Sequence, residues 1–268
     1  MRELPEGEVR PRRPVAVYPD LAGKVAVVTG GSWGIGAATC RLLAANGVHV
    51  AVNARSPGPI DNVVAQIRDS GGSALGIAAD CTQWEEVERI RRATEAELGP
   101  ADILCPFAGG FSGYTPVHEI SEEEWAFVLD SNLTSTFLAV KSFLPGMMDR
   151  RRGSVVTMAS NAARFLDIML TASYAAAKAG VVVFTRHVAL EVGRYGIRVN
   201  CVAPATTLTE RIERIMSEER REEVAQMSPL GRLGTPEDSA SAAVFLASEA
   251  ASWITGVTID VAGGRIML

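Results

Sequence analysis

Val25-Ala-Val-Val-Thr29-Gly30-Gly31-Ser32-Trp33-Gly34-Ile35-Gly36 is the stretch of sequence that decides the fold. Its first four residues form an apolar run that is too short for a helix and lies between glycines, and such a run predicts a buried strand. A glycine-rich turn follows, and apolar residues then recur with helical spacing from Ala37 to Asn46. A strand, a glycine turn and a helix in this order are typical of the first βαβ unit of a parallel sheet.

The same alternation of short apolar strands and amphipathic helices continues outward from this stretch. Further strands are predicted at 48–53, 74–79, 103–107, 155–158, 198–203 and 257–261. Helices are predicted at 61–69, 84–98, 172–195 and 235–248, with one long helix inside 122–148. Repeated βα units with apolar strands imply a parallel sheet with helices on both faces. We therefore predict one doubly wound α/β domain over 21–268, with a loose arm over 1–20 and a substrate lid over 206–230.

Composition excludes several classes of function. The 268 residues carry a net charge of −5, which argues against nucleic acid or an anionic membrane as the main partner. The four cysteines and three histidines lack the spacing of a metal or redox site, so we expect no metal, and free buried thiols in a reducing cytoplasm. The first 20 residues have no apolar core and contain four prolines, which predicts neither a signal peptide nor a membrane span.

Tyr174 and Lys178 are the candidate proton-transfer pair. They are four residues apart in a predicted helix of small apolar residues, so they share one helix face. A cation one turn away favours the phenolate and lowers the tyrosine pKa from its usual value of about 10, so that the phenol can exchange a proton near neutral pH. Ser160, upstream of the pair, could hold a substrate oxygen. By itself the pair more often indicates a core tyrosine beside a snorkelling lysine; the cofactor signals decide between the two interpretations.

The glycine turn predicts a binding site for a dinucleotide diphosphate. Gly30 permits the tight turn, Gly34 lets the backbone approach the phosphates, and Gly36 allows helix and strand to pack closely. The phosphates would lie at the N-terminus of the following helix, where backbone N–H groups attract anions.

The end of the second strand favours NADP(H) over NAD(H). The residues there are Asn53-Ala54-Arg55-Ser56, so no carboxylate is present to bind a ribose 2′-hydroxyl and repel a 2′-phosphate. Arg55 can pair with that phosphate and Ser56 can donate to it; the alternative is a solvated surface arginine. Asp80, after the third strand, either accepts from the adenine amine or caps the turn before Thr82.

Together these motifs resemble one known family. Thr29-Gly30-x-x-x-Gly34-x-Gly36, Asn132, Ser160 and Tyr174-x-x-x-Lys178 are similar in order and spacing to the short-chain dehydrogenases/reductases. The resemblance runs from about Leu21 to the C-terminus. Its last segments, 231–238 and 254–264, are most similar to the 3-oxoacyl-acyl-carrier-protein reductase branch. It implies a Rossmann fold with a seven-stranded sheet and a homotetramer, with a dimer as the alternative.

The resemblance also implies a role for each site residue. Tyr174 would donate the proton, Ser160 would hydrogen-bond the same substrate oxygen, Lys178 would hold the nicotinamide ribose and lower the tyrosine pKa, and Asn132 would anchor a water that resupplies the proton. Thr209 would contact the nicotinamide carboxamide. The complete set of implied cofactor contacts is Gly30, Ser32, Trp33, Gly34, Ile35, Gly36, Arg55, Ser56, Asp80, Ala108, Gly109, Tyr174, Lys178, Pro204 and Thr209.

Three positions depart from the family pattern. The usual Asn-Asn-Ala-Gly is Pro106-Phe107-Ala108-Gly109 here, which removes one backbone donor and one side-chain donor and requires different local hydrogen bonds. The usual Pro-Gly is Pro204-Ala205, which reduces backbone freedom beside the nicotinamide. Ser160 lies one residue further from Tyr174 than is commonest. These changes affect the shape of the pocket and remove no catalytic group.

The segments expected beyond the strand ends predict an apolar substrate site. An acyl chain, a ring system or another bulky ketone would fit such a lining; the alternative is that these side chains pack against one another or across a subunit contact. They are Phe111, Tyr114, Phe165, Leu166, Ile168, Met169, Leu170, Leu208, Ile212, Ile215 and Met216.

Three functions are weighed. The first is an NADP(H)-dependent reductase of a ketone, such as a 3-oxoacyl thioester or a polyketide-like substrate. The substrate could be free or bound to a carrier protein that docks at Arg150-Arg151-Arg152. The alternative for this arginine cluster is a charged loop kept for solubility. The second is a dehydrogenase that oxidises a steroid-like, sugar or other secondary alcohol. The third is a nucleotide sensor without turnover, which the retained Ser160, Tyr174 and Lys178 disfavour.

Overall fold

The computed structural model describes residues 16–110, 113–165 and 170–267. Within these residues seven strands form one parallel sheet in the order β3-β2-β1-β4-β5-β6-β7. The sequence prediction of a doubly wound, seven-stranded sheet is therefore confirmed. The strands are β1 Val25–Thr29, β2 His49–Ala54, β3 Ser73–Ala78, β4 Ile103–Pro106, β5 Gly153–Met158, β6 Ile197–Pro204 and β7 Thr258–Val261.

Helices cover both faces of this sheet. They are α1 Gly34–Ala45, α2 Pro57–Asp69, α3 Trp84–Glu97, α4 Glu122–Leu129, α5 Ser135–Arg150, α6 Ala172–Val192, α7 Glu210–Ile215, α8 Glu218–Gln226 and α9 Pro236–Ala247. Alternate residues of β1 enter different core clusters: Ala26 and Val28 pack with α1, α2 and α9, whereas Val27 packs with α3, α5 and α6. Strands that are buried on both faces explain the continuous apolar runs in the sequence.

The order of the strands places a crevice at the carboxyl ends of β1 and β4. β1 lies between β2 and β4, and the chain fills the β2 side first before it crosses to the β4 side. Ligands of doubly wound sheets bind where the strand order reverses in this way. The glycine turn between β1 and α1 opens into this crevice.

Two helices differ from the sequence prediction. α2 begins at Pro57 rather than at residue 61, because proline is well suited to the first turn of a helix, where its missing N–H costs nothing. The long helix predicted inside 122–148 is present, but Asp130–Thr134 are π-helical and divide it into α4 and α5. This irregular turn carries Asn132.

The hydrogen bonds around Pro106 follow the change predicted there. The ladder between β4 and β5 stops at Leu104 and Val155, although both strands continue, and Pro106 has no N–H to extend it. The next two N–H groups bond to β1 instead: Phe107 N donates to Thr29 O at 3.2 Å, and Ala108 N donates to Thr29 Oγ1 at 3.1 Å.

Two further features concern the compartment and metals. None of the described helices combines the length and the apolar character that crossing a membrane requires, and the described residues contain no cluster of three metal-ligating side chains. All four cysteines are buried free thiols. Burial raises the pKa of the Cys81 and Cys105 thiols to about 12, so these groups are inert at neutral pH.

Candidate active site

A cavity of about 920 Å³ lies at the carboxyl ends of the strands. Every residue that the sequence analysis assigned to catalysis or cofactor binding lines it, with the exception of Asn132. The glycine turn and the end of β2 lie on one side of the sheet's crevice, and Ser160, Tyr174 and Lys178 follow β5 on the other. The cavity thus brings the glycine turn together with the side chains of Ser160, Tyr174 and Lys178.

The glycine turn has the close backbone packing that a diphosphate site needs. Gly30 has a φ of +64°, and a Cβ atom there would lie 2.8 Å from Phe107 O. A Cβ atom on Gly36 would lie 2.1 Å from Gly30 O, so only glycine fits. Trp33, at the start of α1, provides no capping hydrogen bond from its side chain, and Gly34, Ile35 and Gly36 in the first turn of α1 line the cavity.

Glu210 and Arg211 are functional candidates that the sequence analysis missed. Gly34 N donates a hydrogen bond to Glu210 Oε2 at 3.2 Å, and a Cβ atom on Gly34 would lie 2.8 Å from Thr209 Cγ2. The first turn of α7 therefore packs on the first turn of α1. Residues 34 and 210 are 176 positions apart in the chain, and no local pattern could have paired them.

At the end of β2, Asn53 is fixed by the fold and Arg55 is exposed. The Asn53 amide donates to Ile77 O at 2.9 Å and to Ala79 O at 3.2 Å, and Cys81 Sγ donates to Asn53 Oδ1 at 2.9 Å. Among the residues that the structure describes, no carboxylate lies within ion-pair distance of Arg55. Arg55 and Ser56 are thus the polar side chains that this strand end offers to a ligand in the cavity.

The structure bears out the turn-capping interpretation of Asp80. Asp80 Oδ1 accepts hydrogen bonds from Thr82 N at 2.9 Å and from Thr82 Oγ1 at 2.8 Å. Both bonds use one carboxylate oxygen, and Asp80 also lines the cavity.

Ser160 and Tyr174 are brought together as the sequence predicts. The side chains of these two residues are hydrogen-bonded to each other. Ser160 Oγ also accepts from Ala162 N at 3.2 Å and donates to Asn161 Oδ1 at 3.2 Å, which orients the hydroxyl at the end of β5. Tyr174 lies in the first turn of α6, whose N-cap is Thr171.

The electrostatics of the pair Tyr174 and Lys178 differ from the sequence prediction. Lys178 is buried, its Nζ donates to Met158 O at 2.9 Å, and burial lowers the pKa of Lys178 to about 8. Burial raises the pKa of Tyr174, while the hydrogen-bond contact with the Ser160 side chain and the positive charge of Arg211 act in the opposite direction. The expectation that Lys178 lowers the tyrosine pKa is not met in this structure, because desolvation outweighs the charges nearby.

Asn132 lies behind the cavity and holds one of its loops. Asn132 Oδ1 accepts from Gly110 N at 2.9 Å, and Asn132 Nδ2 donates to Gly110 O at 2.9 Å and to Val128 O at 2.9 Å. The amide nitrogen and one acceptor position of the amide oxygen are therefore engaged within the protein. Its contact with the Gly109–Gly110 turn fixes the loop that follows β4.

The predicted apolar substrate lining is largely wrong for the described residues. Phe111, Leu166, Ile168 and Met169 lie outside them. Of the remaining predicted residues only Ile212 lines the cavity, because the short helix α7 turns its charged residues toward it. Other side chains that line the cavity and that the sequence analysis did not assign to it include Phe107, Phe127, Met158, Glu210, Arg211 and Arg214.

The Arg150–Arg152 cluster is engaged with the fold. Arg150 Nη2 donates to Ala101 O at 2.6 Å, Arg151 Nη2 donates to Arg194 O at 2.9 Å, and Arg152 pairs with Asp102 at 3.0 Å. The cluster precedes β5 and therefore lies at the amino edge of the sheet, opposite the cavity. This position favours a structural role over carrier docking.

Comparison with known proteins identifies the family. A family model described as enoyl-(acyl carrier protein) reductase matches residues 30–265. The chain belongs to the short-chain dehydrogenase/reductase family. As a short-chain dehydrogenase/reductase it is an oxidoreductase that acts on CH–OH or C=O groups.

Relatives within the short-chain dehydrogenase/reductase family differ in substrate. A 3-oxoacyl-[acyl-carrier-protein] reductase of Vibrio cholerae is 40% identical over 93% of this chain and 100% of its own length. A 3beta-hydroxysteroid dehydrogenase of Eggerthella lenta is 38% identical over 94% of this chain and 97% of its own. The crystal structure of a Brucella melitensis 3-oxoacyl-[acyl-carrier protein] reductase with bound NAD is 29% identical, with a TM-score of 0.89, over 98% of this chain and 99% of that one.

The cavity of this short-chain dehydrogenase/reductase fits a nicotinamide dinucleotide. Its volume is within the usual range for ligand sites. Ile35 and Gly36 in the first turn of α1 line the cavity, and the N-terminus of a helix attracts an anion. The hydroxyl groups of Ser160 and Tyr174 and the Lys178 ammonium belong to residues that line the same cavity.

Proposed function

We propose that this protein is an NADP(H)-dependent reductase that converts a ketone into a secondary alcohol, with a 3-oxoacyl thioester or another bulky ketone as substrate. The observation that carries this proposal is the meeting of Ser160, Tyr174 and Lys178 with the glycine turn in one cavity. The Vibrio cholerae relative acts on a substrate of this class, as its name states.

Ser160 and Tyr174 act on the substrate oxygen. A bound nicotinamide supplies the hydride to the carbonyl carbon. Tyr174 then donates the hydroxyl proton to the oxygen that gains negative charge, and the Ser160 hydroxyl hydrogen-bonds the same oxygen. Burial, which raises the pKa of Tyr174, keeps the phenol protonated, and a protonated phenol is the form that a proton donor requires.

Lys178 and Asn132 support this step. The Lys178 ammonium uses one proton on Met158 O and has two left for the ribose hydroxyls of the cofactor. Asn132 holds the Gly109–Gly110 turn and, in our proposal, anchors a water that returns a proton to the site. Loss of the Gly110 contact would move the wall of the cavity next to the reacting carbon.

Arg55 and Ser56 select NADPH over NADH in our proposal. Arg55 is exposed at the end of β2 and can pair with a 2′-phosphate. The neighbouring Asn53 amide is occupied by backbone groups and cannot take the place of the carboxylate that NAD-dependent enzymes use there. The remaining oxygen of Asp80 would accept from the adenine amine.

A homotetramer is the assembly that we propose, with a dimer as the alternative. Val183 and Leu190 on α6 are 63% and 83% exposed, and Phe137 of α5 stacks edge-on against Phe184 of α6 at 6.3 Å. An apolar face of this kind on two long helices is typical of a subunit contact. The four buried free thiols support a reducing, cytoplasmic location.

A second candidate function is the oxidation of a secondary alcohol on a steroid-like ring. The Eggerthella lenta relative, at 38% identity, supports this alternative. The same residues would serve it in reverse, since Tyr174 would take the proton that it donates in reduction. The Arg55 argument favours reduction, because NADP usually serves that direction.

Turnover assays decide between these functions. For reduction, the purified protein is mixed with NADPH or NADH and with either a short 3-oxoacyl thioester or a bulky cyclic ketone. For oxidation, it is mixed with the oxidised cofactor and a hydroxysteroid. We expect NADPH oxidation with the thioester. Turnover of the hydroxysteroid alone would favour the second function, and turnover with NADH but not NADPH would contradict the cofactor assignment.

A further inference from the structure

Glu210 occupies the end of the cavity where an anion is expected. Its Oε2 accepts a hydrogen bond from Gly34 N at 3.2 Å, and its side chain reaches this position from the first residue of α7. α1 receives no capping hydrogen bond from its own N-cap residue, Trp33. Glu210 therefore takes the place of an N-cap for α1, from a distant part of the chain.

The same N-terminus is the place where the cofactor diphosphate must bind. The partial positive charge at the start of a helix and its unpaired N–H groups attract a carboxylate and a phosphate alike. The N–H group of Gly34 cannot bind the Glu210 carboxylate and a phosphate fully at the same time, and two anions at one helix N-terminus repel each other. Thr209, beside Glu210, also packs against Gly34, so both residues stand close to the helix N-terminus where the diphosphate would bind.

We propose that Glu210 is an internal competitor of the cofactor: its carboxylate latches α7 onto α1 in the free enzyme and is displaced by the diphosphate. This inference rests on dinucleotide binding at the glycine turn, as in the proposed function, but not on the identity of the ketone. The latch lowers the apparent affinity for the cofactor, because only the unlatched fraction of the protein is competent to bind.

The latch links the cofactor end of the cavity to the substrate end. Arg211 follows Glu210 directly, and a Cβ atom on Gly110 would lie 2.7 Å from Arg211 Nη1. The Arg211 charge is also close enough to act on Tyr174. Displacement of Glu210 therefore shifts Arg211, which connects α7 with the proposed proton donor Tyr174. The cofactor binds first and the substrate second in this scheme.

Equilibrium binding and stopped-flow association of NADPH and NADH test the latch without substrate. The variants are Glu210→Gln, which keeps the shape and removes the charge, and Glu210→Ala, which removes the whole carboxylate. Glu213→Gln is the matched control, since Glu213 is an exposed carboxylate in the same short helix and does not line the cavity.

We expect both Glu210 variants to bind each dinucleotide about three- to tenfold tighter, with the gain in the association rate, because a competitor has been removed from the free protein. Glu213→Gln should match the original protein. Unchanged or weaker binding in the Glu210 variants, an equal gain in Glu213→Gln, or a gain confined to the dissociation rate would overturn the latch and leave the proposed function standing. A folded protein that binds neither dinucleotide would overturn both.

Discussion

Lys178 Nζ lies 5.7 Å from the centre of the Tyr174 ring, yet it gives its hydrogen bond to Met158 O at 2.9 Å. The ammonium is thus held at the base of the cavity by a neutral partner. A buried cation without a carboxylate beside it is costly to the folded state. This cost agrees with the role proposed for Lys178, which is to hold the ribose hydroxyls of a bound cofactor.

Lys178→Met should stabilise the free protein at neutral pH. The lysine pKa falls from 10.5 to about 8 on folding, so the unfolded chain binds the proton more tightly, and the wild-type protein gains stability as the pH rises from 8 to 10.5. Methionine carries no charge. We expect Lys178→Met to be about 2 kcal/mol more stable than wild type at pH 7, a difference that already includes the loss of the hydrogen bond to Met158 O. At pH 10 the variant should be no more stable than wild type. Urea unfolding at both pH values measures this; an equal difference at each would contradict it.

Tyr174→Phe should abolish proton donation and leave the fold intact. The substitution removes one oxygen from a half-buried ring, and we expect the turnover number to fall by about a thousandfold. The dissociation constant of NADPH should change less than about twofold, since the phenol acts on the substrate oxygen. Steady-state kinetics and fluorescence titration give the two numbers. Turnover near the wild-type rate would remove Tyr174 from the mechanism.

Arg55→Ala should weaken NADPH and spare NADH. A charge-assisted pair with the 2′-phosphate corresponds to about 10- to 100-fold in affinity, and NADH lacks that phosphate. Parallel titrations of one variant with both cofactors contain their own control. An equal effect on NADPH and NADH would make Arg55 a solvated surface charge.

Asn132→Ala should loosen the loop after β4. Both backbone groups of Gly110 lose a hydrogen bond, at a cost of about 2–4 kcal/mol in unfolding free energy. Ser131→Ala is the control, since Ser131 Oγ only accepts from the same amide at 3.1 Å and donates to Val128 O at 3.3 Å. Denaturation of the two variants should differ clearly. Similar midpoints would mean that the Gly110 contact contributes little.

Leu190→Glu should break the proposed assembly. A carboxylate on the exposed apolar face of α6 cannot be buried in a subunit contact without a partner, so light scattering should report a smaller particle than for wild type. Leu230→Glu places the same change on another exposed leucine, outside this face, and should leave the particle unchanged. A dissociation caused by both, or by neither, argues against a contact through α6.

The sequence was sufficient to predict the sheet and the position of the glycine turn, and to single out Ser160, Tyr174 and Lys178, which the fold brings to one cavity. Each of these depends on a short-range signal: apolar runs such as Val25–Val28, glycines at fixed spacing, and two residues one helical turn apart. The start of α2 was misjudged because Pro57 looks like a loop residue but fits a first helical turn.

What the sequence could not provide is contact between distant segments. Glu210 meets Gly34, and Arg211 acts on Tyr174, only because α7 folds back over the cavity. The prediction of a lowered pKa for Tyr174 was wrong for a related reason. Sequence spacing reveals the charge on Lys178, but the loss of water around both side chains depends on the packing of the whole domain.

The short ladder between β4 and β5 has a consequence for engineering. Two residue pairs join these strands, whereas six join β5 to β6. The seam divides the half of the sheet that carries the glycine turn from the half that carries Ser160, and so it lies between the proposed cofactor site and the proposed proton donor. Directed evolution toward larger substrates should therefore target Pro106 and Phe107 at this seam. A small separation of the two halves of the sheet there would widen the gap between the cofactor site and the proton donor, and neither set of catalytic side chains would have to change.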